Sequence, residues 1–237
     1  MRTIVFSDVH GEPAVIRRVL EHSGYSAGDD RLVFAGDAID IGRDSAGCLD
    51  LLDDLGVEFL VGNHEYGAFL DWGFEPLEPR VKETIDSRLT SGEWLLAAEA
   101  DGVLITHAGV SADWHDRFGE AGEGDVARFV AALNDEFRRA VESGLWSEGV
   151  VEDDGPLWWR PGRGEPEVPE LVQVLGHTPP EMLGSTDSVD ALAKSGFYLI
   201  DPYVRKWAGQ GFPPPAPVRY AVIEVGAVRV VDSGLAD

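Results

Sequence analysis

The chain has 237 residues, 44% of them hydrophobic and 26% charged, which is the length and mix of one globular domain and excludes a disordered, collagenous or coiled-coil chain. Its 19 Lys and Arg stand against 43 Asp and Glu, a formal net charge of −24 that opposes stable binding of DNA, RNA or anionic membranes. No apolar run reaches the ~20 residues of a membrane helix, and Met1-Arg2 leads straight into a strand-like run, so a cytoplasmic address is expected.

In chain order, β-branched runs of strand length occupy Thr3 to Phe6, Arg31 to Ala35, Val57 to Val61, Gly102 to Thr106 and Leu171 to Leu175. Helical stripes lie between the first three: Val15, Val19 and Leu20 within 12–22, then Leu49, Leu52 and Leu55 within 44–55, where Cys48 joins the apolar face as a core residue. Strand alternating with helix predicts a parallel α/β start. After residue 65 the rhythm loosens: 80–89 and 125–141 read as helices, and 74–76 and 119–124 as loops. The chain is read as a single domain, 1–237, with 65–100 and 112–165 as helical and loop cap insertions. A Gly-, Pro- and acid-rich loop from 151 to 169 carries Trp158-Trp159-Arg160, and another, Pro-rich loop spans 210–217. Three late runs, 197–200, 218–224 and 228–231, are expected as antiparallel strands, with Gly226 turning the last pair.

The chemistry is concentrated at the carboxyl ends of the strands. The five buried runs end in Asp8-Val9-His10-Gly11, Gly36-Asp37, Gly62-Asn63-His64-Glu65, His107-Ala108-Gly109 and Gly176-His177. In an open α/β sheet such strand ends share one rim, so donors far apart in sequence can meet there. Four of the six histidines fall in these places, beside glycines suited to turns that pass close to a ligand. Asp carboxylate, imidazole and Asn carbonyl together suit borderline divalent ions: manganese foremost, iron or zinc as alternatives. The set is large enough for two ions, and two metals form a clamp for in-line attack on phosphorus, so phosphate ester hydrolysis is the natural use.

The order Asp8-x-His10-Gly11, Gly36-Asp37-x-x-Asp40, Gly62-Asn63-His64-Glu65, His107-x-Gly109, Gly176-His177 resembles the calcineurin-like metallophosphoesterases, in their bacterial Ser/Thr protein phosphatase and diadenosine tetraphosphatase branch. The resemblance implies a four-layer α/β/β/α sandwich with mixed central sheets and a helical insertion after the third motif. It implies one metal held by Asp8, His10 and Asp37, and a second by Asn63, His107 and His177, with Asp37 bridging. It implies His64 as the general acid, supported by Asp40, and attack by a metal-bridging hydroxide without a covalent phosphoenzyme. Within that resemblance Glu65 completes the third motif and argues against the cyclic nucleotide phosphodiesterase branch.

Two positions depart from the pattern. Where the family carries a phosphate-clamping arginine the chain has Ile41, so Arg43, Arg160 and Arg163 become the candidate substrate-binding guanidiniums. Where the family often has Asp-Thr-Gly, Asp201 is followed by Pro202. Plainer alternatives accompany the remaining residues: His22 as a helix-end surface residue, His115 as an exposed loop residue, Trp158 and Trp159 as loop packing rather than base stacking, and Arg160 in a salt bridge. The expected substrate is a phosphorylated small molecule, nucleotide or phosphoprotein. Three functional readings stand side by side: a phosphomonoesterase of protein-phosphatase type, a dinucleoside polyphosphate hydrolase, and a non-catalytic scaffold that keeps the fold.

Overall fold

The computed structural model describes residues 1–237 except 73–76, 119–124, 145–148, 153, 163–165, 167, 169–170, 185, 205–217 and 233–237, and only the backbone of 117–118, 150 and 186–188. Nine strands, β1 (Arg2–Phe6), β2 (Asp30–Ala35), β3 (Glu58–Leu60), β4 (Ala97–Ala100), β5 (Val103–Thr106), β6 (Val172–Leu175), β7 (Phe197–Leu199), β8 (Arg219–Glu224) and β9 (Ala227–Asp232), form two mixed sheets among the described residues. One sheet has the order β3-β2-β1-β8-β9, and the other β4-β5-β6-β7. The helices are α1 (Pro13–Ser23), α2 (Ser45–Leu55), α3 (Asn63–Phe69), α4 (Pro79–Thr90), α5 (Ala112–Phe118), α6 (Val126–Ser143) and α7 (Thr186–Lys194).

Strand alternation sorts the side chains into two cores. Val5, Val33, Ala35 and Leu60 of the first sheet cluster with Ala98, Val103, Ile105 and Val174 of the second, so the sheets face one another. Their neighbours Ile4, Phe6, Leu32 and Phe34 point the other way, into a core shared with Val15, Ile16 and Val19 of α1. Leu104, Leu175 and Leu199 of the second sheet share that outer core with Phe129, Leu133, Phe137 and Val141, the i, i+4 stripe of α6. This is the expected sandwich of helices outside two sheets.

Local signals start and stop the helices where the sequence places them. Pro13 opens α1 and Gly24 ends it at φ 61°. The Asp44 carboxylate accepts the Gly47 N–H at 2.7 Å to cap α2, and Asp125 does the same for Ala127 in α6 at 3.0 Å. Val225 and Gly226, at φ 52° and 74°, make the two-residue turn between β8 and β9. The loops expected at 74–76, 119–124 and 210–217 lie outside the described residues.

One expectation is corrected. Phe197–Leu199 does not join β8 and β9 as an antiparallel strand; it pairs in parallel with β6 in the second sheet. A parallel pair needs a crossover, and α7, unread in the sequence, supplies it. Strand β4 was also unread, because Ala97-Ala98-Glu99-Ala100 has helical propensity. Pairing with β5 overrides that propensity, and the free edge is covered: Asn134 of α6 accepts the Leu96 and Ala97 N–H groups at 2.9 and 3.0 Å and donates to the Ala97 carbonyl at 2.9 Å.

Candidate metal centre

Strands β1, β2 and β3 of one sheet and β5 and β6 of the other deliver their carboxyl ends to one place. Asp8, His10, Asp37, Asp40, Asn63, His64, His107 and His177 are all buried there. The turns carrying them are held by backbone bonds from strand end to strand end: Asp8 N–H to the Gly36 carbonyl at 2.9 Å, His10 N–H to Asp37 at 2.9 Å, and Gly176 N–H to His107 at 2.8 Å. Of the ten non-glycine residues at positive φ among the described residues, six are at this centre: Asp8, His10, Asp37, Asp40, Ile41 and His177. Such strain persists only where surrounding structure over-determines it. Two glycines are required by proximity, since a Cβ on Gly62 would overlap the Asp37 carboxylate and one on Gly176 that of Asp8.

Asp37 is the centre of the arrangement. Its Oδ1 accepts the His64 backbone N–H at 3.0 Å, while its Oδ2 is buried with no hydrogen-bond partner among the described residues. Three imidazole nitrogens surround that oxygen: Nε2 of His107 at 3.4 Å, of His10 at 3.7 Å and of His64 at 3.8 Å. Orphaned buried carboxylate oxygens are costly and rare, and a cation is the simplest partner for this one. Two donor groups share Asp37: His10, Asp37 and His64, and Asp37, His107 and His177.

Ring orientation supports the same reading. A carbonyl oxygen only accepts, so an imidazole nitrogen facing one carries the proton and the other nitrogen keeps its lone pair. His107 Nδ1 faces the Ala35 carbonyl at 2.9 Å, His10 Nδ1 that of Ile39 at 3.2 Å, and His177 Nε2 that of Trp158 at 3.1 Å. The other nitrogens of His107 and His177 converge: His107 Nε2 lies 2.9 Å from Asn63 Oδ1 and 3.2 Å from His177 Nδ1. Burial, with Asp37 opposing, lowers the His107 pKa, and burial with His107 and Arg160 lowers that of His177 further, so both are neutral as ligands must be.

The carboxylates complete the electrostatics. Asp8, Asp37, Asp40, Glu65 and Asp201 are each at most 6% exposed. Burial, then Asp201 and Asp37, raises the Asp8 carboxyl well above its usual range; burial raises Asp37 too, but the four imidazoles, His107 first, outweigh it and hold it low. Buried negative charge at this density, lined by neutral nitrogen donors, fits divalent cations.

His64 stands apart from the other imidazoles. Its Nδ1 meets Asp40 Oδ2 at 2.9 Å, and Asp40 Oδ1 accepts the Ile41 N–H at 2.9 Å. Burial lowers the His64 pKa, yet Asp37 and Asp40 outweigh it and leave it raised.

Sequence reasoning missed three supports of the site. Glu65 is fully buried and accepts N–H groups from Asp37 at 2.9 Å, Ala38 at 2.8 Å, Ile39 at 3.3 Å and Gly62 at 2.9 Å, tying the second motif to the third. Burial and Asp37 push its carboxyl up to about 7. Gln173 of β6 accepts the Val110 N–H at 2.9 Å and donates to its carbonyl at 3.0 Å, and Thr106 accepts the Gly109 N–H at 2.9 Å, so the His107 turn is pinned from both sides. A buried Gln or Glu inside an apolar strand or motif is the one signal the sequence offered. Glu65→Gln points an amide N–H₂ at backbone donors, and we expect a loss of about 2 to 3 kcal/mol, read as a lower urea midpoint at unchanged slope.

Of the candidate arginines, Arg160 lies at the rim: its guanidinium donates to the His177 carbonyl, and its charge acts on His107 and His177. Arg43 is exposed and its charge acts on Glu12 at the start of α1. Arg163 lies outside the described residues. Trp159 packs in the core against Phe197, with ring centroids 5.5 Å apart, and His115 packs against Phe129 at 5.3 Å from α5 rather than in a loop.

A calcineurin-like phosphoesterase family model matches residues 1–210. The chain belongs to that family. A symmetrical bis(5'-nucleosyl)-tetraphosphatase of Nitrosomonas europaea is 29% identical over 127 residues, which cover 48% of this chain and 47% of the relative; the match therefore spans about half of that protein's length. Among solved structures, a cold-active protein-tyrosine phosphatase of a psychrophilic Shewanella is 18% identical, with a TM-score of 0.64 over 97% of this phosphoesterase and 80% of that chain. A protein serine/threonine phosphatase from Saccharomyces cerevisiae is 15% identical, with a TM-score of 0.64 over 100% and 81%. At these identities the two structures establish the fold, with its two sheets and outer helices. No described helix is long and apolar enough to cross a membrane.

Proposed function

We propose that this phosphoesterase hydrolyses phosphate esters of phosphorylated small molecules, nucleotides or phosphoproteins in the cytoplasm. The observation that carries the reading is the unpartnered Asp37 oxygen shared by two imidazole groups, beside a histidine committed to a different carboxylate. Asp8, His10 and Asp37 would hold one divalent ion and Asn63, His107 and His177 a second, Asp37 serving both. When bound, such ions, manganese foremost, supply Lewis acidity at the phosphoryl oxygens and lower the pKa of attacking water.

The chain's own residues do the rest. His64, oriented by Asp40 through Nδ1, keeps Nε2 toward the centre and gives a proton to the departing oxygen. Arg160 neutralises the non-reacting phosphoryl oxygens from the rim. Arg160→Ala should raise KM about tenfold with kcat nearly unchanged, and an unchanged KM in steady-state kinetics would place the phosphate elsewhere. The net charge of −24 argues against polynucleotide substrates.

The test is a substrate panel with manganese-, iron- and zinc-loaded protein: p-nitrophenyl phosphate, its bis ester, a phosphopeptide and diadenosine tetraphosphate. Hydrolysis of at least one of the four is expected, and inactivity on all four supports a scaffold instead. A second reading, hydrolysis of dinucleoside polyphosphates, is favoured by the Nitrosomonas relative.

A further inference from the structure

Two indoles meet at the rim of the metal centre, brought there by different segments. Trp72 lies just past α3, the helix that begins with Asn63 and His64, and Trp158 precedes Arg160. Their ring centroids are 6.0 Å apart with planes tilted by 38°, and both side chains are only half-buried. Trp158 is fixed relative to the metal donors, since its carbonyl accepts the His177 Nε2 proton at 3.1 Å and its ring stands at 88° to the imidazole, 6.4 Å away. The Trp158 indole N–H is shielded from water yet finds no hydrogen-bond partner among the described residues. Trp159 is buried in the core against Phe197, whereas Trp158 packs against that core with only part of its surface and keeps the rest exposed.

We propose that Trp72 and Trp158 form a stacking surface for the base of a nucleotide whose phosphate lies at the metal centre. The inference rests on the phosphoesterase reading and narrows its substrate to a nucleoside phosphate or polyphosphate. Position selects the class. His177 turns Nδ1 toward His107 and Nε2 toward the Trp158 carbonyl, and the Trp158 ring, 6.4 Å from the His177 imidazole, stands outside the donor set. A base carried on a sugar, and so set back from its phosphate, matches a surface set back from the donors in this way. Indole faces stack on any base.

The test is calorimetric titration of manganese-loaded protein with the phosphonate analogues of AMP and ribose 5-phosphate, whose C–P bonds are not hydrolysed. The base should tighten binding on the order of tenfold. That ratio should fall to about one in Trp72→Leu and in Trp158→Leu, and be largely kept in Trp72→Phe. Equal affinity of the two ligands for the wild-type protein overturns the stacking surface without any variant, as does a ratio that survives both leucine variants. Tighter binding of phosphotyrosine than of the AMP analogue also overturns it, assigning the rim to an aryl ester. Failure of the phosphoesterase reading is separate: it shows as no hydrolysis of any of the four panel substrates, whatever the binding ratio.

Discussion

Asp37→Asn is expected to abolish turnover and metal binding together, lowering kcat by about a thousandfold or more. Asparagine nearly matches the aspartate in shape, so the 3.0 Å bond from the His64 N–H can persist through its carbonyl oxygen. What disappears is the charge, and with it the one oxygen that three imidazoles face and no protein donor satisfies. Because Asp37 belongs to both donor groups, both ions should be lost rather than one. Calorimetric titration with manganese should find no high-affinity site, and the rise in melting temperature that metal gives the wild type should vanish. Circular dichroism should remain that of the folded protein. Retention of one tight site would show that Asp37 serves a single ion.

His64→Gln should behave oppositely: metal affinity is kept and rate is lost by about a hundred- to ten-thousandfold. His64 already commits Nδ1 to Asp40, and its other nitrogen is the group placed to deliver a proton. The loss must depend on the leaving group. p-Nitrophenolate departs without a proton and should show a small deficit, whereas an alkyl phosphate, whose alkoxide cannot leave unprotonated, should show the full one. Asp40→Asn should reproduce that pattern more weakly, since it removes the orienting carboxylate but leaves the imidazole. An equal deficit on both esters would make His64 a metal ligand, as its place in the first donor group allows, rather than an acid.

The strand ends were legible because their physics is local. Thr3 to Phe6 and Arg31 to Ala35 alternate between two cores, and a polar donor after such a run can only sit at the rim. The helices at 80–89 and 125–141 were legible from apolar periodicity, as the buried stripe of Phe129, Leu133, Phe137 and Val141 bears out. What escaped was set by partners distant in the chain. Ala97–Ala100 is a strand because β5 and Asn134 make it one, and Phe197–Leu199 is parallel because α7 carries the chain back across the sheet. In the site, the donors could be read from their glycine neighbours, but their orientation could not. The Trp158 carbonyl behind His177, the four backbone groups on Glu65 and the Gln173 clamp on Val110 are tertiary facts with no sequence period. Trp72 carries no motif at all; only its meeting with Trp158 gives it a role. The displaced guanidinium was half-legible: Arg160 reaches the rim, while Arg43, nearer in sequence to the clamp position at Ile41, is exposed and its charge acts on Glu12.

Anomalous scattering from crystals soaked in manganese addresses the centre most directly. Two peaks are expected, one among Asp8, His10 and Asp37 and one among Asn63, His107 and His177, with the Asp37 carboxylate touching both. Density maps without a peak against Asp37 Oδ2, in crystals where the soak has reached other sites, would contradict the account.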